Sequence, residues 1–248
     1  MNSKGKIWVA LDTDKSKALK IARAVFHHPA VYGFKLNRLV DQEVFRRDGE
    51  PRLFAELGEL GKSQWVDIKA HDVERTVAGR IEPYVASGLV NFITVHAKGE
   101  VDMMMAAVKA GEGINGLRAW IIAVTELTSL SEEQVHLGSG HPAKASVIYL
   151  ARNAVLSGVK YLVCSANELE VLAKRRELIL LEKFVPGITP VWKKTPPPDQ
   201  KRIGTPEAAL VAGASKLVIG SAIIDADDPL EAVEKTAAEI EAIEIPEK

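Results

Sequence analysis

A single cysteine, Cys164, is the whole thiol content of the 248-residue chain, so no disulfide can form within it. That excludes a bridged secreted scaffold and makes a reducing, cytoplasmic compartment the expectation. Neither sign of charge prevails, because 32 Lys and Arg stand against 33 Asp and Glu for a formal net charge of −1. Such a balance offers no basic field to nucleic acid and no acidic tail of a disordered binder. Long apolar runs are missing too: none reaches the roughly eighteen residues of a membrane span, and the opening "MNSKGKIWVALD" lacks the apolar core of a signal peptide. The six histidines show no HxH or HExxH spacing, so no zinc site is expected. Glycine is absent from "ALDTDKSKALK", where a dinucleotide-binding fingerprint would follow the first apolar run. A soluble metabolic enzyme with a local charged site is what these absences leave.

What is present is alternation. Apolar residues make up 47% of the chain, enough for a large core. "KIWVALD" (6–12), "VYGFKLN" (31–37), "SQWVDIK" (63–69) and "VNFITVHA" (90–97) are short strand-like runs, each followed by a helical stretch. "LRAWIIAVTEL" (117–127), "KYLVCS" (160–165), "KFVPG" (183–187) and "KLVIGS" (216–221) repeat the pattern. The strands are nearly continuous in apolar residues, as expected when helices cover both faces of a parallel sheet. Eight such units predict an α/β fold, a (β/α)8 barrel formed as one domain over residues 1–248. An open, doubly wound sheet is the weaker alternative. Residues 1–5 are expected to be a flexible N-terminus, and about 189–203, containing "TPPPD" (195–199), to be the one loop long enough for a lid.

In a barrel of this kind reactive groups sit at the C-terminal strand ends and in the loops beyond them. Those ends are polar here: Asp12, Lys35 with Asn37, Asp67 with Lys69, His96, Thr125 with Thr128, Cys164–Ser165, and Gly220–Ser221. Residues i and i+2 of a strand share a face, so Asp67 and Lys69 are expected to point together toward the barrel axis, opposite Val66 and Ile68. Each charge has an ordinary reading as well. A strand-end Asp or Lys is often a solvated residue, Asp72 suits the N-cap of the helix "VERTVAGRIEPYV", His96 suits a structural hydrogen bond, and Cys164 suits a small buried apolar side chain. Taken together, Asp12, Lys35, Asp67, Lys69 and Asp72 at adjacent strand ends would be costly unless paired in a site.

The series "ALD" (10–12), "GFKLN" (33–37), "DIKAHDVERTV" (67–77), "VTELTS" (124–129), "VCSANE" (163–168), "VPGI" (185–188), "DQKR" (199–202) and "LVIGS" (217–221) resembles the orotidine 5′-phosphate decarboxylases over nearly the whole chain. The Asp-x-Lys-x-x-Asp element alone is shared with sister decarboxylases and aldolases. The strand-two lysine and the "DQKR" loop make the likeness more specific. The resemblance implies a cytoplasmic homodimer of barrels with active sites at the interface, converting orotidine 5′-monophosphate to UMP and CO2 without metal or organic cofactor. It implies Lys69 as proton donor to C6 of the pyrimidine, Asp67 beside the substrate carboxylate, and Lys35 holding Asp67 and reaching the ribose. Asp72 and Thr76 would serve the partner's site, Asp12 the ribose hydroxyls, Thr128 the pyrimidine amide, and Gln200 the base and phosphate.

At two phosphate-contacting positions of the family pattern the chain departs from it. Thr189 follows "PGI" and Ser221 follows Gly220, where the family usually carries arginines. Lys193, Lys194, Arg202 and the backbone N–H groups around Gly220–Ser221 are the candidate replacements, since lysine serves as a point-charge phosphate ligand. The alternatives are a Mg-dependent keto-sugar-phosphate decarboxylase or aldolase on the same barrel, and a nucleotide-binding protein without turnover.

Overall fold

The computed structural model describes residues 1–44, 52–193 and 204–244. Lys194, Gln200, Arg202 and the "TPPPD" tract therefore lie outside the described residues. Eight parallel strands close on themselves in chain order: β1 (Ile7–Ala10), β2 (Val31–Leu36), β3 (Ser63–Ala70), β4 (Phe92–His96), β5 (Trp120–Val124), β6 (Tyr161–Val163), β7 (Glu182–Val185) and β8 (Lys216–Ile219). Between them run α1 (Lys15–Val25), α2 (Arg38–Val44), α3 (Leu53–Gly58), α4 (Glu74–Ala86), α5 (Glu100–Gly111), α6 (Glu132–Ser139), α7 (Ala143–Leu156), α8 (Leu169–Ala173), α9 (Pro206–Val211), α10 (Ser221–Ile224) and α11 (Pro229–Glu241). The expected (β/α)8 barrel is thus the observed one, with strand ends that differ from the expected ones by at most three residues. No described helix is long and apolar enough to cross a membrane.

Local chemistry explains the helix starts. Asp14 accepts a hydrogen bond from Lys17 N at 2.9 Å and opens α1, whose Ala18, Leu19, Ile21, Ala22 and Val25 form one buried stripe. Asp228 accepts from Leu230 N and Glu231 N ahead of Pro229, the residue type suited to a first helical position, and opens α11. Asp72 does not cap α4. That position falls to Val73, and the Asp72 carboxylate accepts from Val73 N at 2.7 Å. The N-terminus also differs from the expected flexible segment: the Met1 ammonium donates to Ile243 O at 2.9 Å, and Ser3 is buried against Glu241, so it is tied to the end of α11.

Alternation along the strands sorts side chains into two cores. Outward residues such as Val9, Phe34, Val66 and Ile93 pack against the helices. Inward residues Trp8, Trp65, Phe92 and Phe184 fill the barrel with rings whose centroids lie 5.4–6.0 Å apart around Trp8. Most meet edge-on, the arrangement favoured by the ring quadrupoles. This aromatic plug fills the lower barrel, and the charged residues Lys35, Asp67 and Lys69 lie above it.

Trp8 owes its place to Gly33. A Cβ at Gly33 would stand 2.1 Å from Ser63 O and 2.6 Å from the Trp8 ring, so neither strand nor indole has room for one. Gly33→Ala should therefore lower stability by about 2–3 kcal/mol through overpacking. A urea unfolding series that finds the variant as stable as the parent would contradict that packing.

Candidate active site

The site grows from an irregularity in β3. Val66 pairs with Ile93 and Ala70 with Val95, so β3 advances from 66 to 70 while β4 advances only from 93 to 95. The surplus makes a bulge, and Lys69 within it takes φ +46, a left-handed conformation that a side chain pays for. Bulges of this kind re-aim side chains next to active sites. The shared direction expected of Asp67 and Lys69 is real, but it arises from this bulge and not from plain alternation. Their contact is short: Lys69 Nζ donates to Asp67 Oδ2 at 2.8 Å.

Lys35, in the inward register of β2, donates to the same Oδ2 at 3.1 Å and reaches Asp12 Oδ2 at 3.4 Å. Four charges from three neighbouring strands thus alternate in sign: Asp12, Lys35, Asp67, Lys69. Asn37 fixes the strand beneath by donating Nδ2 to the Asp67 carbonyl at 2.7 Å. Burial alone would push the Asp67 carboxyl up, but the Lys35 and Lys69 ammoniums outweigh it and hold it below the usual carboxylate range. Burial likewise works against a charged Lys35, and the Asp67 and Asp12 carboxylates overcome it and raise its pKa.

Above the array is a cavity of about 390 Å³. Asp12, Lys35, Asp67, Lys69, Thr128, Gly220 and Ser221, seven of the residues singled out from sequence, line it together. Apolar floor and wall come from Ala10, Trp65, Val124, Val163 and Val218. Leu127, Pro186, Gly187, Ile188, Ile224 and Asp225 complete the lining. Asp225 accepts from Lys17 Nζ at 3.3 Å and also borders an adjoining cleft that holds Lys193. Thr189 is not in the cavity lining, and its N–H donates to Gly204 O at 2.9 Å.

Asp72 and Thr76 are exposed and stand outside this cavity. Asp72 borders a separate surface hollow with His71, Val73 and Met103, and Val73 is 67% exposed there. His96 has the structural role expected of it: Nδ1 accepts from Lys98 N at 3.2 Å. Burial, then the neighbouring His71 and Lys98, lower its pKa to about 4, so the ring is neutral at pH 7. Cys164 is buried.

Several contributors escaped the sequence reading. Thr94 is fully buried beside Asp67, with its hydroxyl accepting from Trp65 Nε1 at 2.6 Å. It lies two residues along β4 from inward-facing Phe92, so alternation offered a signal. Glu126, also buried, receives Ser146 Oγ at 2.6 Å and pairs with Lys98 at 2.9 Å. With Thr125 Oγ1 donating to Val163 O at 2.9 Å, it anchors the loop that carries Leu127 and Thr128 to the cavity.

Comparison with known proteins gives one consistent picture. The family model described as "Orotidine 5'-phosphate decarboxylase / HUMPS family" matches residues 5–236. An orotidine 5′-phosphate decarboxylase of Thermobifida fusca (strain YX) is 38% identical over 239 residues, covering 95% of this chain and 95% of its own. That of Pseudoalteromonas translucida (strain TAC 125) is 38% identical over 228 residues, covering 91% and 92%. The crystal structure of orotidine 5′-phosphate decarboxylase from Lactobacillus acidophilus superposes with a TM-score of 0.74 at 27% identity, over 96% of this chain and 99% of that one.

The buried array predicts its own sensitivity. Lys35→Met leaves Asp67 with one ammonium and should cost about 3 kcal/mol at pH 7, the scale of a broken buried ion pair. Because the folded pKa of Asp67 is depressed, its contribution is present above the usual carboxylate range and is lost as pH falls through the folded value. The gap between parent and variant should therefore narrow in acid. Urea unfolding at both pH values checks this, and a gap that stays constant or widens would contradict it.

Proposed function

The chain belongs to the orotidine 5′-phosphate decarboxylase / HUMPS family, and from that premise we propose how its cavity converts orotidine 5′-monophosphate to UMP and CO2 in pyrimidine synthesis. The observation that carries the reading is the alternation of Lys35, Asp67 and Lys69 at the wall of a cavity with an apolar floor. The bond from C6 to the carboxyl carbon breaks, CO2 leaves, and the electron pair stays on C6. Lys69 Nζ delivers a proton to that carbon, and the resulting amine regains a proton from solvent. General acid catalysis of this kind contributes on the order of 10²–10⁴-fold.

The fixed ammoniums also meet the negative charge that develops at C6, without reorganisation at the moment of reaction. Asp67 sits beside the departing carboxylate, where its charge disfavours the ground state more than the transition state. Apolar Val124, Val163 and Val218 suit the emerging neutral CO2. Asp12 and Lys35 take the ribose hydroxyls and Thr128 the pyrimidine amide. Lys193 or Lys194 is assigned to the phosphate, with Arg202 and the backbone N–H groups around Gly220–Ser221 as further ligands, and Gln200 bridges the base and the phosphate. Attraction to a remote phosphate is a source of binding energy that lowers the barrier at C6.

The working unit in this reading is a homodimer in the cytoplasm. Asp72 and Thr76 are exposed next to Val73 and outside their own cavity, which supports their use by a second copy. Asp72 of the partner subunit then extends the array to Lys35, Asp67, Lys69 and a second carboxylate.

A spectrophotometric assay of orotidine 5′-monophosphate with EDTA present tests the reaction. The parent should turn over, and Lys69→Ala should lose at least about 100-fold in kcat. Equal activity in both, or activity abolished by EDTA, would overturn the mechanism. In the same assay an equal co-refolded mixture of Lys69→Ala and Asp72→Ala should regain about a quarter of parental activity, because each mixed two-fold dimer keeps one native site. No recovery would contradict the shared site.

A further inference from the structure

Beside Asp67 lies a buried polar pair, Trp65 and Thr94, that the charge pattern does not announce. Trp65 Nε1 donates to Thr94 Oγ1 at 2.6 Å, and both side chains are buried in the barrel interior. A hydroxyl has one proton to give. With Trp65 occupying an acceptor position on Thr94, that proton is free for the other polar group at hand, the Asp67 carboxylate, whose charged form Thr94 favours. The chain of donors runs one way: indole N–H to hydroxyl, hydroxyl to carboxylate. Strand register explains the meeting, because Trp65 pairs with Phe92, and Asp67 and Thr94 each lie two residues further along the same inward faces.

We propose that Thr94 is a positioning residue for the decarboxylation, its hydroxyl aimed by Trp65 so that the Asp67 carboxylate stays ionised and oriented at the carboxyl of the substrate. The proposal rests on the functional reading above. Lys35 from β2 and Lys69 from β3 face Asp67 from the side, Asp12 stands beyond Lys35, and Thr94 approaches from β4. His96, two residues beyond Thr94, is neutral. The two lysines supply charge, and both act on the single oxygen Oδ2. Lysine ammoniums on flexible stems are poor at fixing a carboxylate plane. A neutral donor locked inside the barrel adds direction without adding charge, so it orients Asp67 without quenching the repulsion proposed to act on the substrate.

Thr94→Val keeps the shape and removes the donor. It should lower kcat by about 10- to 100-fold, the loss of one hydrogen bond to a charged group, with KM changed far less. The acid limb of its kcat/KM profile should move to higher pH, because a lost donor to the charged form lets the carboxyl take a proton more readily. Thr94→Ser should restore both rate and profile. Trp65→Phe should cost less in the Thr94→Val background than alone, since its donor acts through Thr94. An unchanged acid limb in Thr94→Val, or a Thr94→Ser as slow as Thr94→Val, would overturn the proposal. If Thr94→Val does not fold, Thr94→Ala carries the same test. A parent that turns over orotidine 5′-monophosphate beside an unaffected variant defeats this inference alone. A parent without turnover defeats the functional reading instead, and a ¹³C titration of Asp67 in parent and variant still decides the role of Thr94: an upward shift in the variant supports it, and none refutes it.

Discussion

One carboxylate sets the terms for the upper half of this barrel. Asp67 is buried, and a buried charge persists only where opposite charges and donors surround it closely. Lys35 and Lys69 supply the charge from two strands, at 3.1 and 2.8 Å from one oxygen. The rest of the local structure serves that arrangement. The β3 bulge and the left-handed backbone of Lys69 bring the second ammonium to Asp67. Asn37 ties down the Asp67 main chain, and Thr94 approaches its side chain from β4. Below, packed rings of Trp8, Trp65, Phe92 and Phe184 fill the barrel, and the charged layer lies directly above that plug.

Much of this could be read from residue order. Apolar runs alternating with amphipathic ones foretold the barrel, because a strand covered on both faces has no need of polar positions until it emerges at its end. Asp12, Lys35, Asp67 and Lys69 stood out for that reason, and the cavity unites them. What stayed hidden was relational. Two extra residues in a strand become a bulge only against the strand beside it, so the geometry of Lys69 could not be seen in β3 alone. Thr94 resembles any β-branched strand residue until the indole of Trp65 is placed against it. Asp72 looked like a helix cap because Asp favours that role, yet the turn puts Val73 there and leaves Asp72 exposed. The N-terminus was expected to be flexible because nothing local in "MNSKG" implies order. Its anchors lie at the far end of the chain, on Glu241 and Ile243.

The opposite end of the cavity follows different chemistry. Ser221 lines it and Thr189 does not, and Asp225 adds a carboxylate already paired with Lys17. Lys193 occupies the cleft on the other side of Asp225. An arginine fork clamps an anion in fixed geometry, whereas lysines act as mobile point charges. In the proposed reading the reacting carbon would meet the paired array of Lys35, Asp67 and Lys69, and the phosphate would fall to lysine side chains.

The central claim is that Asp67 is ionised and Lys35 protonated inside the folded barrel at neutral pH. A neutron diffraction map of deuterated crystals at pH 7 shows those protons directly. The account requires three deuterons on Lys35 Nζ, none on either Asp67 oxygen, and the Thr94 deuteron directed at Asp67. A deuteron on the Asp67 carboxyl, or a Lys35 with only two, would contradict it.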